Sequence, residues 1–97
     1  MNDARLLVLT SLSSGPKHGH ALLLDIEGFA GVRLGPGTLY GAITRLEEHG
    51  LIEPLDADDR RRPYRLTAAG ARELADSLAG LRRIVETGSA RLAAVAA

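Results

Sequence analysis

The sequence predicts a mainly α-helical fold with one small β-hairpin (α+β). Apolar residues recur at the three- and four-residue spacing of helices in four segments, and between the third and fourth the pattern changes to two short extended runs around a polar turn. Apolar residues make up 45% of the chain and aromatic residues 3%, so the core must be mainly aliphatic. We expect one small domain with an appended helical element.

The first helix is predicted over residues 3–13. This segment carries apolar residues on nearly every side, which is typical of a short helix buried all round. Asp3 is placed to stabilise its amino-terminal end. The helix is expected to stop at residues 13–16, because proline and the residue before it resist helical continuation.

The second helix is predicted over residues 18–28. Its inward stripe consists of Leu22, Leu23 and Ile26. Asp25 is expected outside that stripe, and Gly28 is expected to break the helix. The alternating segment 32–34 predicts a short strand.

The third helix has a sharply marked start within LGPGTLYGAITRLEEHGLI, residues 34–52. Pro36 suits the first helical position, where no N–H is needed, so Gly35 is the predicted N-cap. Gly50 suits the position just after the helix. The predicted buried stripe consists of Leu39, Ile43 and Leu46. The outer faces are left with Thr38, Tyr40, Gly41, Thr44, Arg45 and Glu48.

A β-hairpin with a charged tip is predicted next, because residues 51–55 and 63–66 have strand character and residues 56–62 form a polar turn. Pro54 and Pro63 suit strand ends or edges, where no ladder hydrogen bond is lost.

Residues 68–97 predict a long final helix, with Thr67 as its N-cap. A heptad pattern runs through Leu74, Leu78, Leu81, Val85, Gly88, Leu92 and Val95. Such a helix would be about 40 Å long, which outruns the surface of a domain of roughly 65 residues. The pattern therefore favours a second copy of the chain as partner, although packing within one chain is the alternative.

The predicted organisation is a winged helix-turn-helix domain over residues 1–67 and a dimerisation helix over residues 68–97. That fold has the order helix, helix, short strand, helix, hairpin and helix. In it the third helix enters the DNA major groove, and the hairpin wing touches the backbone or minor groove. The predicted dimer interface comprises Leu74, Leu78, Leu81, Val85 and Leu92.

A DNA-binding surface is predicted on the third helix and the wing. Free N–H groups at the helix start favour a phosphate, hydroxyl groups can donate to one, a glycine leaves room in the groove, and an arginine can reach a base edge. The predicted DNA-binding residues are Thr38, Tyr40, Gly41, Thr44, Arg45, Arg60, Arg61 and Arg62.

Each of these motifs also has a structural interpretation. The glycines around Pro36 can simply shape a turn, and Tyr40 can be a half-buried packing residue. Residues 60–62 can form a solvated tip that Asp56, Asp58 and Asp59 neutralise. The order of the elements favours the DNA-binding interpretation, because it places the arginines at the tip of a wing.

Composition narrows the functional classes further. The net charge is zero, with 12 basic and 12 acidic residues, so nucleic acid would have to be bound through a local patch. The chain has no cysteine, which excludes disulfides and thiolate metal sites and suits a reducing compartment. The start lacks the pattern of a signal peptide, and no apolar run approaches the roughly 20 residues of a membrane span. We expect a cytoplasmic protein without membrane contact.

No enzymatic constellation is visible. His18, His20 and His49 have no metal-ligand spacing, and no nucleophile is paired with a base. We therefore predict no catalytic residues, no metal and no cofactor.

With these residues in view, the chain resembles the PadR family, regulators named for control of phenolic acid decarboxylase. The matching segments are KHGHALLLDIE, LGPGTLYGAITRLEEHGLIE and DRRRPYRLTAAG, which with the first helix cover the chain to about residue 72. The resemblance implies a transcriptional regulator, usually a repressor, and a homodimer joined through the C-terminal helix, often with help from the N-terminal helix.

The sequence also departs from the family pattern. Many members have serine at the position of Gly35 and an aromatic residue at the positions of His20 and Pro63. No aromatic residue follows Tyr64, so a flat apolar effector would have little to stack on.

The predicted function is therefore sequence-specific DNA binding by a homodimeric repressor of the PadR type, acting on a palindromic double-stranded operator. A small-molecule effector is compatible with the resemblance, but its identity is unknown. The alternative is a winged-helix module for protein–protein contact, for which zero net charge would be natural.

Overall fold

The structure is a computed structural model that describes residues 3–57 and 60–96. Met1 and Asn2 of the first predicted domain, Ala97 of the second, and Asp58 and Asp59 of the predicted wing tip lie outside the described residues. The elements are α1 Ala4–Leu12, β1 Lys17–His18, α2 Gly19–Ala30, α3 Pro36–Glu48, β2 Ile52–Pro54, β3 Pro63–Leu66 and α4 Ala68–Ala96.

Helix α1 begins where the sequence predicts it. The Asp3 carboxylate accepts hydrogen bonds from the backbone N–H groups of Arg5 at 3.0 Å and Leu6 at 3.3 Å, which caps the helix. The expectation of burial all round is wrong. Leu6 and Leu7 are only half-buried, because they face a groove beside α4 that the other described residues do not fill.

Helix α2 continues through Gly28, contrary to the prediction, and ends at Ala30. The residue that ends it is Gly31, whose φ of 65° lies in the left-handed region and whose N–H donates to the Glu27 carbonyl. Asp25, expected outside the apolar stripe, contacts α1. Its half-buried carboxylate accepts a 2.6 Å hydrogen bond from the Ser11 hydroxyl of α1.

The sheet has three antiparallel strands in the order β1-β3-β2 among the described residues. Strands β2 and β3 form the predicted hairpin, with Pro54 at the end of one strand and Pro63 at the start of the other. The strand predicted at residues 32–34 is absent. The apolar–polar alternation of residues 32–34 instead reflects the burial of Leu34 in the core. The third strand of the sheet is Lys17–His18, which pairs with β3.

The core lies between α1, α2, α3 and the sheet. The predicted stripe of α3 is confirmed, since Leu39, Ile43 and Leu46 are at most 2% exposed. Burying an aliphatic side chain of this kind contributes roughly 1.5–3 kcal/mol. The other buried apolar residues are Val8, Leu9, Leu12, Leu22, Ile26, Leu34, Ala42, Ile52 and Leu74.

Helix α4 begins on the domain and then leaves it. The Thr67 hydroxyl accepts from the Gly70 N–H at 3.0 Å, as predicted for an N-cap, and donates to the Gly50 carbonyl at 2.7 Å. From Arg82 to Ala96 every residue is exposed, which gives the molecule its extents of 57 × 26 × 20 Å. In the described parts of the chain, no helix is both long and apolar enough to cross a membrane.

Together these elements form the winged helix-turn-helix that the sequence predicts. Helices α2 and α3 are joined by a short turn, and β2 and β3 form the wing after α3. The long α4 follows directly.

Candidate nucleic-acid interface

The amino-terminal end of α3 presents backbone donors that have no partner among the described residues. Gly35 caps the helix with extended backbone and no side-chain hydrogen bond, and Pro36 occupies the first helical turn. The N–H of Leu39 bonds to the Gly35 carbonyl, whereas the N–H groups of Gly37 and Thr38 precede the helical ladder. All the residues from 35 to 38 are exposed, so this end can approach an anion closely.

The outer face of α3 carries Thr38, Tyr40, Thr44 and Arg45, all of them exposed. The Thr44 hydroxyl donates to the Tyr40 carbonyl at 2.9 Å, which fixes its orientation on the helix. Gly41 is half-buried on the same helix, and Arg45 Nη2 lies 3.9 Å from the point that a Gly41 Cβ would occupy. The arginine therefore lies back along the helix over the glycine.

The wing is held by backbone pairing and by one cross-strand ion pair. Glu53 and Arg65 are opposite each other in the β2–β3 register, and the Arg65 guanidinium donates to the Glu53 carboxylate. Arg60, Arg61 and Arg62 are exposed before β3, and Arg60 has a φ of 67°, which is uncommon for a residue with a side chain.

Tyr40 of α3 and the three wing arginines line one cavity of about 290 Å³. The structure thus brings together four of the residues predicted to bind DNA. The other four predicted residues do not line this cavity: Thr38, Thr44 and Arg45 are exposed elsewhere on α3, and Gly41 is half-buried.

The remaining lining residues of that cavity were missed by the sequence analysis. They are His18, Gly19, His20 and Tyr64. Strand β1 explains their presence, because Lys17 pairs with Tyr64 and His18 with Pro63, which brings the start of α2 beside the wing. A two-residue strand has no periodicity, so the sequence carries no pattern from which this pairing could be inferred.

Tyr64 keeps its proton at neutral pH. Burial raises the pKa of its phenol, and the carboxylate of Glu47 adds to this effect, whereas Arg62 opposes it. The phenol is therefore a neutral group that can donate a hydrogen bond into the cavity.

The three histidines have different environments in the structure. The His18 ring accepts from the Ala21 N–H at 3.3 Å and caps α2, whereas His49 Nδ1 lies 2.7 Å from the Arg45 carbonyl at the end of α3. His20 is exposed at the cavity.

The residues predicted for a dimer interface are in different environments. Leu78, Val85 and Leu92 are exposed on α4 and Leu81 is half-buried. Leu74 does not fit the predicted interface, since it is only 6% exposed and packs in the chain's own core. Ile84, which the predicted set does not include, is 68% exposed and lies one position before the heptad residue Val85.

A second concavity, a groove of about 910 Å³, runs between α1 and α4. Its apolar lining includes Leu6, Leu7, Leu81 and Ile84. Asp76 and Arg91 lie toward its two ends along α4.

Two known proteins are similar in sequence. An uncharacterised 37.1 kDa protein in transposon TN4556 of Streptomyces fradiae is 55% identical over 73 residues, or 75% of this chain and 21% of that protein. The chain thus spans about a fifth of the length of this relative. Transcriptional regulator Rv3488 of Mycobacterium tuberculosis is 36% identical over 83 residues, which cover 82% of this chain and 77% of that protein.

The fold is also found among solved structures. A PadR family transcription regulator from Clostridium difficile R20291 matches with a TM-score of 0.83 and 22% identity, over 92% of this chain and 97% of that chain. The family model described as the transcriptional regulator PadR-like family matches residues 8–76. Since that match covers well over half of the sequence, the chain belongs to the PadR-like family of transcriptional regulators.

Proposed function

We propose that this protein binds double-stranded DNA with α3 in the major groove and the wing on the backbone. The observation that carries the proposal is the shared cavity of Tyr40 and Arg60–Arg62, which aligns donors from α3 and the wing on one side of the molecule. Phosphate contacts from the wing would fix the register, and Arg45 and Thr44 on α3 would read base edges. Family membership supports the same role.

A homodimer through α4 is the second element of the proposal. The outer half of this helix exposes Ile84, Val85 and Leu92, and a helix that makes no packing contacts is marginal in water. A second copy would cover this face with the same face of its own. In an antiparallel pair, Asp76 of one protomer would approach Arg91 of its partner, so the charges along the groove are complementary.

The two-fold symmetry of such a dimer has a consequence for the DNA. Two identical DNA-binding domains match a palindrome whose half-sites are centred about 10 base pairs apart, or a multiple of that spacing. Occupation of such a site in a promoter would block transcription, so we propose a repressor that acts in the cytoplasm without a catalytic step.

Fluorescence anisotropy with duplexes from the region upstream of the protein's own gene tests the proposal. We expect saturable binding that weakens steeply as salt is raised, because phosphate contacts release counterions. Unrelated duplex of equal length is the control. Absence of binding at low salt would favour the alternative of a protein–protein module, for which the zero net charge is the supporting observation.

A further inference from the structure

We propose that Gly19 is a positioning residue that holds the Tyr40 side chain in the cavity shared with the wing arginines. The inference rests on the proposed function, because it identifies the residue that prepares one of the DNA contacts. Gly19 is the first residue of α2 and is buried, whereas Tyr40 projects from α3 and is 49% exposed. The two residues meet at the cavity that also contains Arg60–Arg62.

The contact between the two residues leaves no room for a side chain at position 19. A Cβ on Gly19 would lie 2.3 Å from Tyr40 Oη, 2.8 Å from Cζ and 3.1 Å from Cε1. Separations below 3.0 Å are essentially never seen for real Cβ atoms, so the phenol can rest against the start of α2 only because residue 19 is glycine.

The steric conflict would displace the tyrosine ring and not the backbone. Left-handed φ values among the glycines occur at Gly15, Gly31 and Gly50, so the backbone of Gly19 accepts an alanine without strain. Alanine also favours the helical conformation. The opposing atoms are the far end of a side chain that turns about two torsions. Gly19→Ala should therefore move the Tyr40 ring while the domain stays folded.

Displacement of the ring would matter because the opposite side of the cavity is formed by the wing. With Tyr40 held against α2, its hydroxyl stays in the cavity that Arg61 and Arg62 also line, so one phosphate could contact both elements. A side chain that is already ordered loses less conformational freedom on binding. A displaced phenol loses both the fixed geometry and this entropic advantage.

A double-mutant cycle tests the assignment. Gly19→Ala, Tyr40→Ala and the double variant are compared with the unmodified chain by anisotropy on the upstream duplex, and each is melted. We expect Gly19→Ala to weaken binding roughly five-fold, the equivalent of one hydrogen bond, without lowering the melting temperature. In the Tyr40→Ala background the same change should have no further effect, because the atoms it displaces are gone.

Gly28→Ala is the matched control, because it makes the same change within α2 at a position where, beyond the local helix backbone, no described heavy atom lies within 4 Å of the new Cβ. It should keep full affinity. The proposal would be overturned if Gly19→Ala lowered DNA affinity equally in the unmodified chain and in the Tyr40→Ala variant. A clear drop in the melting temperature of Gly19→Ala would also overturn it.

A second measurement does not depend on DNA. With ¹³C-labelled tyrosine rings and Tyr64→Phe to assign them, the Tyr40 resonances should move in Gly19→Ala and stay in place in Gly28→Ala. Unmoved resonances overturn the proposal. Moved resonances support the placement of Tyr40 by Gly19 even if the unmodified chain fails to bind the duplex, a failure that counts against the proposed function alone.

Discussion

Gly70 of α4 packs directly against the backbone of Leu51, so closely that a Cβ on Gly70 would lie 2.0 Å from the Leu51 carbonyl oxygen. The same carbonyl accepts a hydrogen bond from the Thr67 N–H at 3.1 Å. This contact joins the start of α4 to the entrance of the wing. It requires glycine at position 70, although glycine has a low helix propensity.

Gly70→Ala should lower stability markedly, because backbone atoms cannot turn away from the new methyl group as a side chain can. Overpacking of this kind costs about 1–3 kcal/mol, which corresponds to a fall in melting temperature of roughly 5–20 °C for a domain of this size. Thermal unfolding followed by circular dichroism measures it. Gly80→Ala on the same helix is the control. Beyond the local helix backbone, the described atom that its Cβ would meet is Arg83 Nη2 at 3.8 Å, so Gly80→Ala should stabilise the protein by up to about 1 kcal/mol.

The sequence predicts the helices and the wing well because their signals are local. The Pro36 start and the 39/43/46 stripe specify α3 without reference to the rest of the chain. The helix end was misplaced at Gly28 because a mid-helix glycine and a terminal glycine look alike in sequence, and it is the left-handed Gly31 that ends α2. The contact of Asp25 could not be predicted because its partner, Ser11, lies on another helix.

The same limit applies to the candidate site. Tyr40 and Arg60–Arg62 can be selected from residue type and position, but their shared cavity depends on the β1–β3 pairing. Nothing in the sequence indicates a role for Gly19 beyond its lack of a side chain. Its role becomes apparent only when the distance to Tyr40 is known.

Gly41→Ala should separate folding from DNA binding. In the unbound protein a Cβ at this position would be 3.9 Å from Arg45 Nη2, an ordinary contact, so stability should be unchanged or slightly higher. If this face of α3 enters the groove, the methyl group should weaken binding several-fold through crowding. Anisotropy on the upstream duplex gives the affinity. An alanine variant that binds as well as the original chain would show that residue 41 does not face the DNA.

Tyr40→Phe should weaken DNA binding roughly five-fold, since one hydroxyl contact is worth on the order of 1 kcal/mol. The ring is retained beside Gly19, so the melting temperature should hardly change. Parallel binding and melting curves provide the comparison. A large fall in melting temperature with intact DNA binding would show instead that Tyr40 is chiefly a packing residue.

Arg61→Ala combined with Arg62→Ala should weaken binding and flatten its dependence on salt. Each phosphate contact that is lost lowers the slope of log K against log[salt] by roughly 0.9. Affinities measured across a salt series give the slope. Arg72→Ala combined with Arg82→Ala removes two exposed charges from α4 and should leave the slope unaltered. A wing variant with the slope of the original chain would place the wing outside the DNA contact.

Val85→Asp and Leu92→Asp test the dimer most cleanly. Val85 is 63% exposed and Leu92 is 72% exposed within one chain, so a carboxylate at either position leaves the fold of the protomer intact. Leu81 is less suitable because it is half-buried and lines the groove beside α1. In a two-fold contact through α4, each aspartate would be buried without a partner, at a cost of several kcal/mol per charge.

We expect both variants to sediment as monomers at micromolar concentration, whereas the unmodified chain sediments as a dimer. Ala90→Asp is the matched control, because it adds the same charge at an exposed position on the opposite side of α4 and should stay dimeric. The monomeric variants should also lose operator affinity steeply, since two half-sites are then bound independently and their effective concentration is lost. A monomeric unmodified chain, or aspartate variants that remain dimeric, would remove α4 from the interface and leave its exposed apolar face to another partner.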